Sequence, residues 1–208
     1  GREVKRTRKT TVLGFYGGPG IGKSAAAWTA AAWLKRNGAS VELATEYVKR
    51  WAWQGREIKP LDELVVLGAQ IAEESDLIGR VDFIVTEKPV VLDLAYSRLY
   101  QPSCITRAVE ETIAAHYAHV ASLGHRHVNV LFRRAAEGYD TRGRFENRRQ
   151  AQLVDLVAEQ ALGELACDGR FNAFAPHIRA KFPVYFADRN RIPQFLSSFY
   201  DVKTRRPK

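Results

Sequence analysis

Gly17-Gly18-Pro19-Gly20-Ile21-Gly22-Lys23-Ser24 fits the pattern G-x-x-x-x-G-K-[ST]. No other stretch constrains the fold as strongly. The pattern has mechanical meaning only between a strand and a helix, where loop N–H groups and the helix N-terminus can surround a phosphate. The context fits. "TTVLGFYG" is β-branched and apolar and reads as a buried first strand, and the Ala-rich run from Gly22 to Trp33 reads as a helix ended by Asn37-Gly38. Gly17, Gly20 and Gly22 allow the unusual dihedrals of such a cradle. Gly17, Gly18, Pro19, Gly20, Ile21, Gly22, Lys23 and Ser24 are therefore expected to hold a nucleoside triphosphate, with ATP the expected donor. Lys23 would reach the β- and γ-phosphates and Ser24 would ligate Mg²⁺.

The remaining chain alternates strands with helices. "SVELATEY" reads as a second strand and "VKRWAWQG" as a short helix or turn. Pro60 opens a long helix with Asp62 and Glu63 in its first turn. Leu61, Leu64, Val65, Gly68, Ile71, Ala72 and Ile78 mark its expected apolar face. "VDFIVTEKP" is a third strand stopped by Pro89, and a helix follows with Ile105, Ala108, Val109, Thr112, Ile113, His116, Tyr117 and Val120 on one face. "RHVNVLFRR" is a fourth strand. Val154, Val157, Ala158, Ala161, Leu162 and Leu165 form another helical face, "FPVYFADRN" a last strand, and "IPQFLSSFY" a short helix. This order implies an α/β three-layer sandwich with a mainly parallel sheet, ligands binding at its C-terminal edge. One domain is expected over 10–200, between basic tails at 1–9 and 201–208.

The loop alone does not say where the phosphate goes. A guanine-reading N-K-x-D motif is absent. Arg133, Arg134, Arg142, Arg144, Arg148 and Arg149 cluster around Gly138 and Gly143. They read as a lid over about 133–149, in which Arg142 and Arg144 stabilise charge on a transferring phosphoryl group; a solvated basic loop is the alternative. A transfer to a hydroxyl needs a base. Glu46, at the end of the second strand, is assigned that role, and Glu87, at the end of the third, the metal. A helix-start acid is the competing reading of Glu46, and Asp93 is a rival carboxylate placed with the substrate-binding residues. Lys49 and Arg50 would hold an acceptor's phosphates. Trp51 and Trp53 beside them could stack bases, unless both pack in the core.

Formal net charge is +9 and the pI about 9.7. That excess favours a polyanionic partner, here DNA, whose reacting base would be flipped out of a duplex. Cys104 and Cys167 lie far apart, no leader segment is visible, and the apolar runs are too short for a membrane, so a cytoplasmic location is expected. His116, His119, His125 and His127 fall close together. With no cysteine or carboxylate nearby in sequence, they are expected on the surface rather than on a metal.

"GFYGGPGIGKS", "VELATEYVKRWAWQGR", "LDELVVLGAQ", "VDFIVTEKPVVL" and "LFRRAAEGYDTRGRFENRRQA" together resemble the P-loop kinase-type ATPases common in bacteriophages, grouped with the nicotinamide riboside kinase AAA-like domain. The resemblance covers most of Thr11 to Leu165. It implies a nucleotide-kinase-like P-loop NTPase fold with an Arg-rich lid, and a kinase that uses ATP and Mg²⁺. Family members often carry an aspartate and a serine where this chain has Glu87 and Lys88. A subset of the group, the bacteriophage 5-hydroxymethyluracil DNA kinases, phosphorylates the base hydroxymethyl group in DNA. Small-molecule kinases of nucleosides, nucleotides or nicotinamide riboside are the alternative, and a nucleic-acid-stimulated ATPase is a third reading. Polynucleotide kinases are similar more loosely, through an acid and then an arginine after the second strand.

Overall fold

A computed structural model describes residues 8–134, 144–167, 184–203 and 206–207. Its frame is a five-stranded sheet of order β2-β3-β1-β4-β5, with every pairing parallel. The strands are β1 (Thr11–Tyr16), β2 (Val41–Ala44), β3 (Phe83–Thr86), β4 (Arg126–Leu131) and β5 (Val184–Phe186). β1 is central and every residue of it is buried. Its neighbours stand in register, with Leu13 opposite both Val85 and Val128.

Residue alternation divides the core. Leu13 and Phe15 face one layer, with Val85, Val128 and Val130 beside them. They meet the small face of α1 (Lys23–Arg36), where Ala26, Ala27, Ala30, Ala31 and Leu34 are buried. α7 (Ile192–Ser197) closes the same layer through Ile192 and Leu196. Tyr16 and Leu131 face the opposite layer, formed with α3 (Asp62–Ser75), α4 (Val91–Tyr100), α5 (Ser103–Ser122) and α6 (Arg148–Cys167). A short helix α2 (Lys49–Trp53) follows β2, and a 3-10 turn (Arg189–Arg191) precedes α7. The C-terminal stretch folds back as a two-stranded antiparallel ladder of β6 (Tyr200–Asp201) and β7 (Arg206–Pro207). No helix among the described residues is long and apolar enough to cross a membrane.

Three expectations need correction. The third strand ends at Thr86, short of Pro89, and the chain turns at once into an additional helix, α4. The apolar run "VVLDLAY" gave no helix-start signal there, since Val90 offers no side-chain cap. The second correction is the face of α3. Leu61 and Val65 are exposed, Gly68 and Ala72 likewise, while Glu63, Val66, Leu67, Gln70 and Glu74 are buried. Polar residues turn inward because each meets a partner inside: Asp93, Thr86 and His116 respectively for Glu63, Gln70 and Glu74. Third, His116, His125 and His127 are buried rather than on the surface, and of these four only His119 is exposed. Thr10 N–H donates to His125 Nδ1 at 3.0 Å, which makes His125 a structural acceptor.

The tight seat of α1 on the sheet makes a direct prediction. Ala30 is fully buried, so Ala30→Leu overpacks the layer and costs ~1–3 kcal/mol in urea unfolding. Trp28 on the outer face is 61% exposed, and Trp28→Ala shifts stability by no more than about 0.5 kcal/mol.

Candidate active site

The phosphate loop leaves β1 at the C-terminal edge of the sheet. Gly17, Gly20 and Gly22 all take positive φ, at 129°, 76° and 102°. Gly18 is required for a different reason: a Cβ there would lie 2.3 Å from the Ala151 carbonyl oxygen of α6. That closeness lets α6 grip the loop. The Asp155 carboxylate accepts the Gly18 N–H, and Arg134 donates to both Asp155 and the Pro19 carbonyl, the latter at 2.8 Å. From the other side Arg189 donates to the Ile21 carbonyl at 3.2 Å. Lys23 is folded onto its own loop, donating to the Gly17 and Gly18 carbonyls at 2.7 and 3.0 Å. Burial pulls its pKa down to about 8, against the opposing pull of Glu46 and Asp155. A bound phosphate would replace those carbonyls with a stronger partner for the ammonium.

The residues assigned to Mg²⁺ are brought together. Lys49 Nζ lies 3.3 Å from Ser24 Oγ and 3.8 Å from Glu87 Oε2. Glu87 Oε2 is buried and has no hydrogen bond. A hydroxyl oxygen and an orphaned carboxylate oxygen, already facing one cation, are hard oxygen donors that suit Mg²⁺. Lys49, assigned to the acceptor, thus sits at the metal residues.

Glu46 is half-buried and within electrostatic reach of Lys23, Lys88 and Glu146. Arg144 is exposed and acts electrostatically on both Lys23 and Glu146. Burial raises the Glu146 carboxyl above its usual range, with Glu46 adding to the effect. Two carboxylates and two cations therefore converge beside the loop. Arg142, Gly138 and Gly143 lie outside the described residues, and Arg148 and Arg149 fold as the first turn of α6.

Around α2 the tryptophans separate. Trp51 is 7% exposed, packed with Val48 and Val66, with the Arg56 guanidinium 3.5 Å over its ring and Tyr47 against its edge. Trp53 is 67% exposed and Arg50 is exposed. Only Trp53 offers an open ring face. Asp93 is fully buried, in an ion pair with Lys88 and within electrostatic reach of Glu63. It lies under the site rather than on its surface.

Two clefts flank the exit of β4. One, of about 580 Å³, is lined by Arg133 and by Phe186, Ala187, Asp188, Arg189 and Asn190 after β5. The other, of about 670 Å³, runs along α6 past Arg134, Arg149 and Asp155. Arg133 covers the Phe186 ring at 5.1 Å. The first cleft adjoins the loop through Arg189 and has room for a nucleoside.

No protein-family model and no curated protein matches the chain. Solved structures do. NadR protein in complex with NAD and AMP-PNP aligns over 92% of this chain and 48% of its own, with a TM-score of 0.61 and 15% identity. NadR protein in complex with NR aligns over 88% and 46%, with a TM-score of 0.59 and 16% identity. The chain shares its fold with these structures, a parallel α/β sheet with the phosphate loop after the central strand. The chain spans about half the length of these two proteins.

The sequence does not single out Asp155, Arg189 or Glu146, nor the grouping of Glu63 and Lys88 with Asp93. Asp155 carried a weak signal, as the acid next to Val154 on the apolar face of α6. Glu63 looked like an ordinary first-turn acid, yet it is buried and its pKa is pushed up to about 8 by burial and then by the Asp93 charge. The folded pKa of Glu63 stands above the ordinary 4.5, so its contribution is present in full below pH 4.5 and is lost as pH rises to about 8. Urea unfolding of the wild type should therefore show stability falling over that window, and Glu63→Gln should flatten the fall. An unchanged slope in the variant would assign the titration elsewhere.

Proposed function

We propose that the protein is an ATP-dependent phosphotransferase that moves the γ-phosphate to a hydroxyl acceptor, the hydroxymethyl group of 5-hydroxymethyluracil in DNA. The convergence of Lys23, Glu46 and Arg144 at one edge of the sheet carries this reading. Glu46 takes the acceptor hydroxyl's proton as its oxygen attacks the γ-phosphorus; the bond to the β–γ bridging oxygen breaks and ADP leaves. Lys23, Arg142 and Arg144 stabilise charge on the transferring group. Mg²⁺ held by Ser24 and Glu87 would neutralise phosphate oxygens. Arg133 and Arg189, at the cleft beside the loop, hold the donor nucleoside.

DNA is favoured as acceptor by the net charge of +9, by exposed Arg50 and by the open ring of Trp53, on which a flipped base can stack. The resemblance to the bacteriophage P-loop kinase-type ATPases, a group that includes DNA kinases, supports the same acceptor and with it a host-cytoplasm setting. A small-molecule kinase is the second reading, favoured by the likeness to NadR bound to NR. Salt separates the two, since only DNA phosphorylation falls steeply as salt rises.

The test is incubation with γ-labelled ATP and separate pools of ordinary DNA, 5-hydroxymethyluracil DNA, nucleosides and nicotinamide riboside. Label is expected in 5-hydroxymethyluracil DNA. Label confined to a small molecule would support the second reading, and label released only as inorganic phosphate would contradict both. Glu46→Gln should lower turnover ~10²–10⁴-fold with little change in nucleotide affinity. If Glu87→Gln does so and Glu46→Gln does not, the two acids exchange roles.

A further inference from the structure

One polar cluster takes no part in the phosphoryl site. Glu74 on α3, His116 on α5 and His127 on β4 meet in the layer between the sheet and those helices, at 1%, 8% and 5% exposure. One ligand atom from each lies within 4.8 Å of the other two. Neither carboxylate oxygen of Glu74 has a hydrogen bond, and neither does His116 Nε2. A carboxylate withdrawn from water without hydrogen bonds is costly, so an uncompensated Glu74 in the core calls for a positive partner.

The separations say what kind of partner. Glu74 Oε2 and His116 Nε2 are 3.4 Å apart. That is long for a charge-assisted hydrogen bond, which closes to ~2.7–2.9 Å. It equals the edge of a tetrahedron built on metal–ligand bonds of ~2.0–2.1 Å, the length zinc makes to nitrogen and oxygen. Two imidazoles and one carboxylate form a donor set that zinc accepts and that Mg²⁺, which prefers oxygen, does not. Ligating imidazoles must be neutral. Burial, with His116 and His125 nearby, holds His127 well below the ordinary histidine range.

We propose that Glu74, His116 and His127 bind a zinc ion that ties α3, α5 and β4 together, at a site separate from the Mg²⁺ residues Ser24 and Glu87. The ion stands on the same buried stripe of α3 as Gln70, which donates to Thr86 at 3.4 Å, and Glu63, which meets Asp93 below the active site. By fixing Glu74, zinc sets the seating of that stripe.

The test uses the full chain, with ATP and excess Mg²⁺ present to fill the phosphate site. Elemental analysis of protein purified without chelator should find about one zinc per chain. After stripping, Co²⁺ should give the intense d–d bands of a four-coordinate site containing nitrogen, and Zn²⁺ should abolish those bands and raise the thermal midpoint. Glu74→Gln and His116→Gln should lose both the bands and the thermal shift while keeping nucleotide affinity. A wild type that takes up neither metal overturns the proposal without any variant. Bands that persist unchanged in both variants overturn it as well, because the metal then sits elsewhere.

Discussion

The Asp155 carboxylate holds together the parts that the site depends on. It accepts the Gly18 N–H and receives Arg134, which also reaches the Pro19 carbonyl. One acid thereby joins the phosphate loop after β1, the exit of β4, and helix α6. The contact is possible only because Gly18 has no side chain, since any Cβ would meet the Ala151 carbonyl. Arg189 adds a second hold on the loop from beyond β5. A loop pinned on two sides keeps its N–H groups oriented before any phosphate arrives, and such preorganisation is what electrostatic catalysis requires.

A second constraint lies beneath the site. The parallel sheet is covered on both faces, yet α3 presents it with Glu63, Gln70 and Glu74. Each of the three lies beside a polar group from another element, Asp93, Thr86 and His116 respectively, so the stripe links α3 to α4, β3 and α5. Buried polar groups of this kind specify one arrangement only when they are satisfied. Gln70 meets this in part, donating to Thr86 while its Oε1 has no hydrogen bond, and Glu74 has His116 close by without one.

Much of this was legible in the sequence, for local reasons. The loop motif fixes β1 and α1, and the run from Val154 to Leu165 has a clean helical face that the structure reproduces in α6. The residues that failed are those decided by distant partners. On α3, Leu64 and Ile71 of the expected face do pack on the core, but the face is centred on Val66, Leu67 and Gln70 and includes acids that meet α4 and α5. The carboxylate beside the histidines, Glu74, comes from a helix remote in sequence, so spacing alone does not reveal it. For Trp51 and Trp53, a spacing of two residues carried no information about which ring enters the core; the packing of Val48 and Val66 decides it. Of the expected catalytic arginines, Arg144 is placed near Lys23, and Arg142 lies outside the described residues.

The central claim is that the γ-phosphoryl group passes to a hydroxyl and not to water. Turnover in ¹⁸O-labelled water with 5-hydroxymethyluracil DNA tests it most directly. The account predicts a phosphomonoester on DNA and no ¹⁸O entering inorganic phosphate beyond background. Stoichiometric ¹⁸O-labelled phosphate, with the DNA unmodified, would contradict it and make the protein a hydrolase.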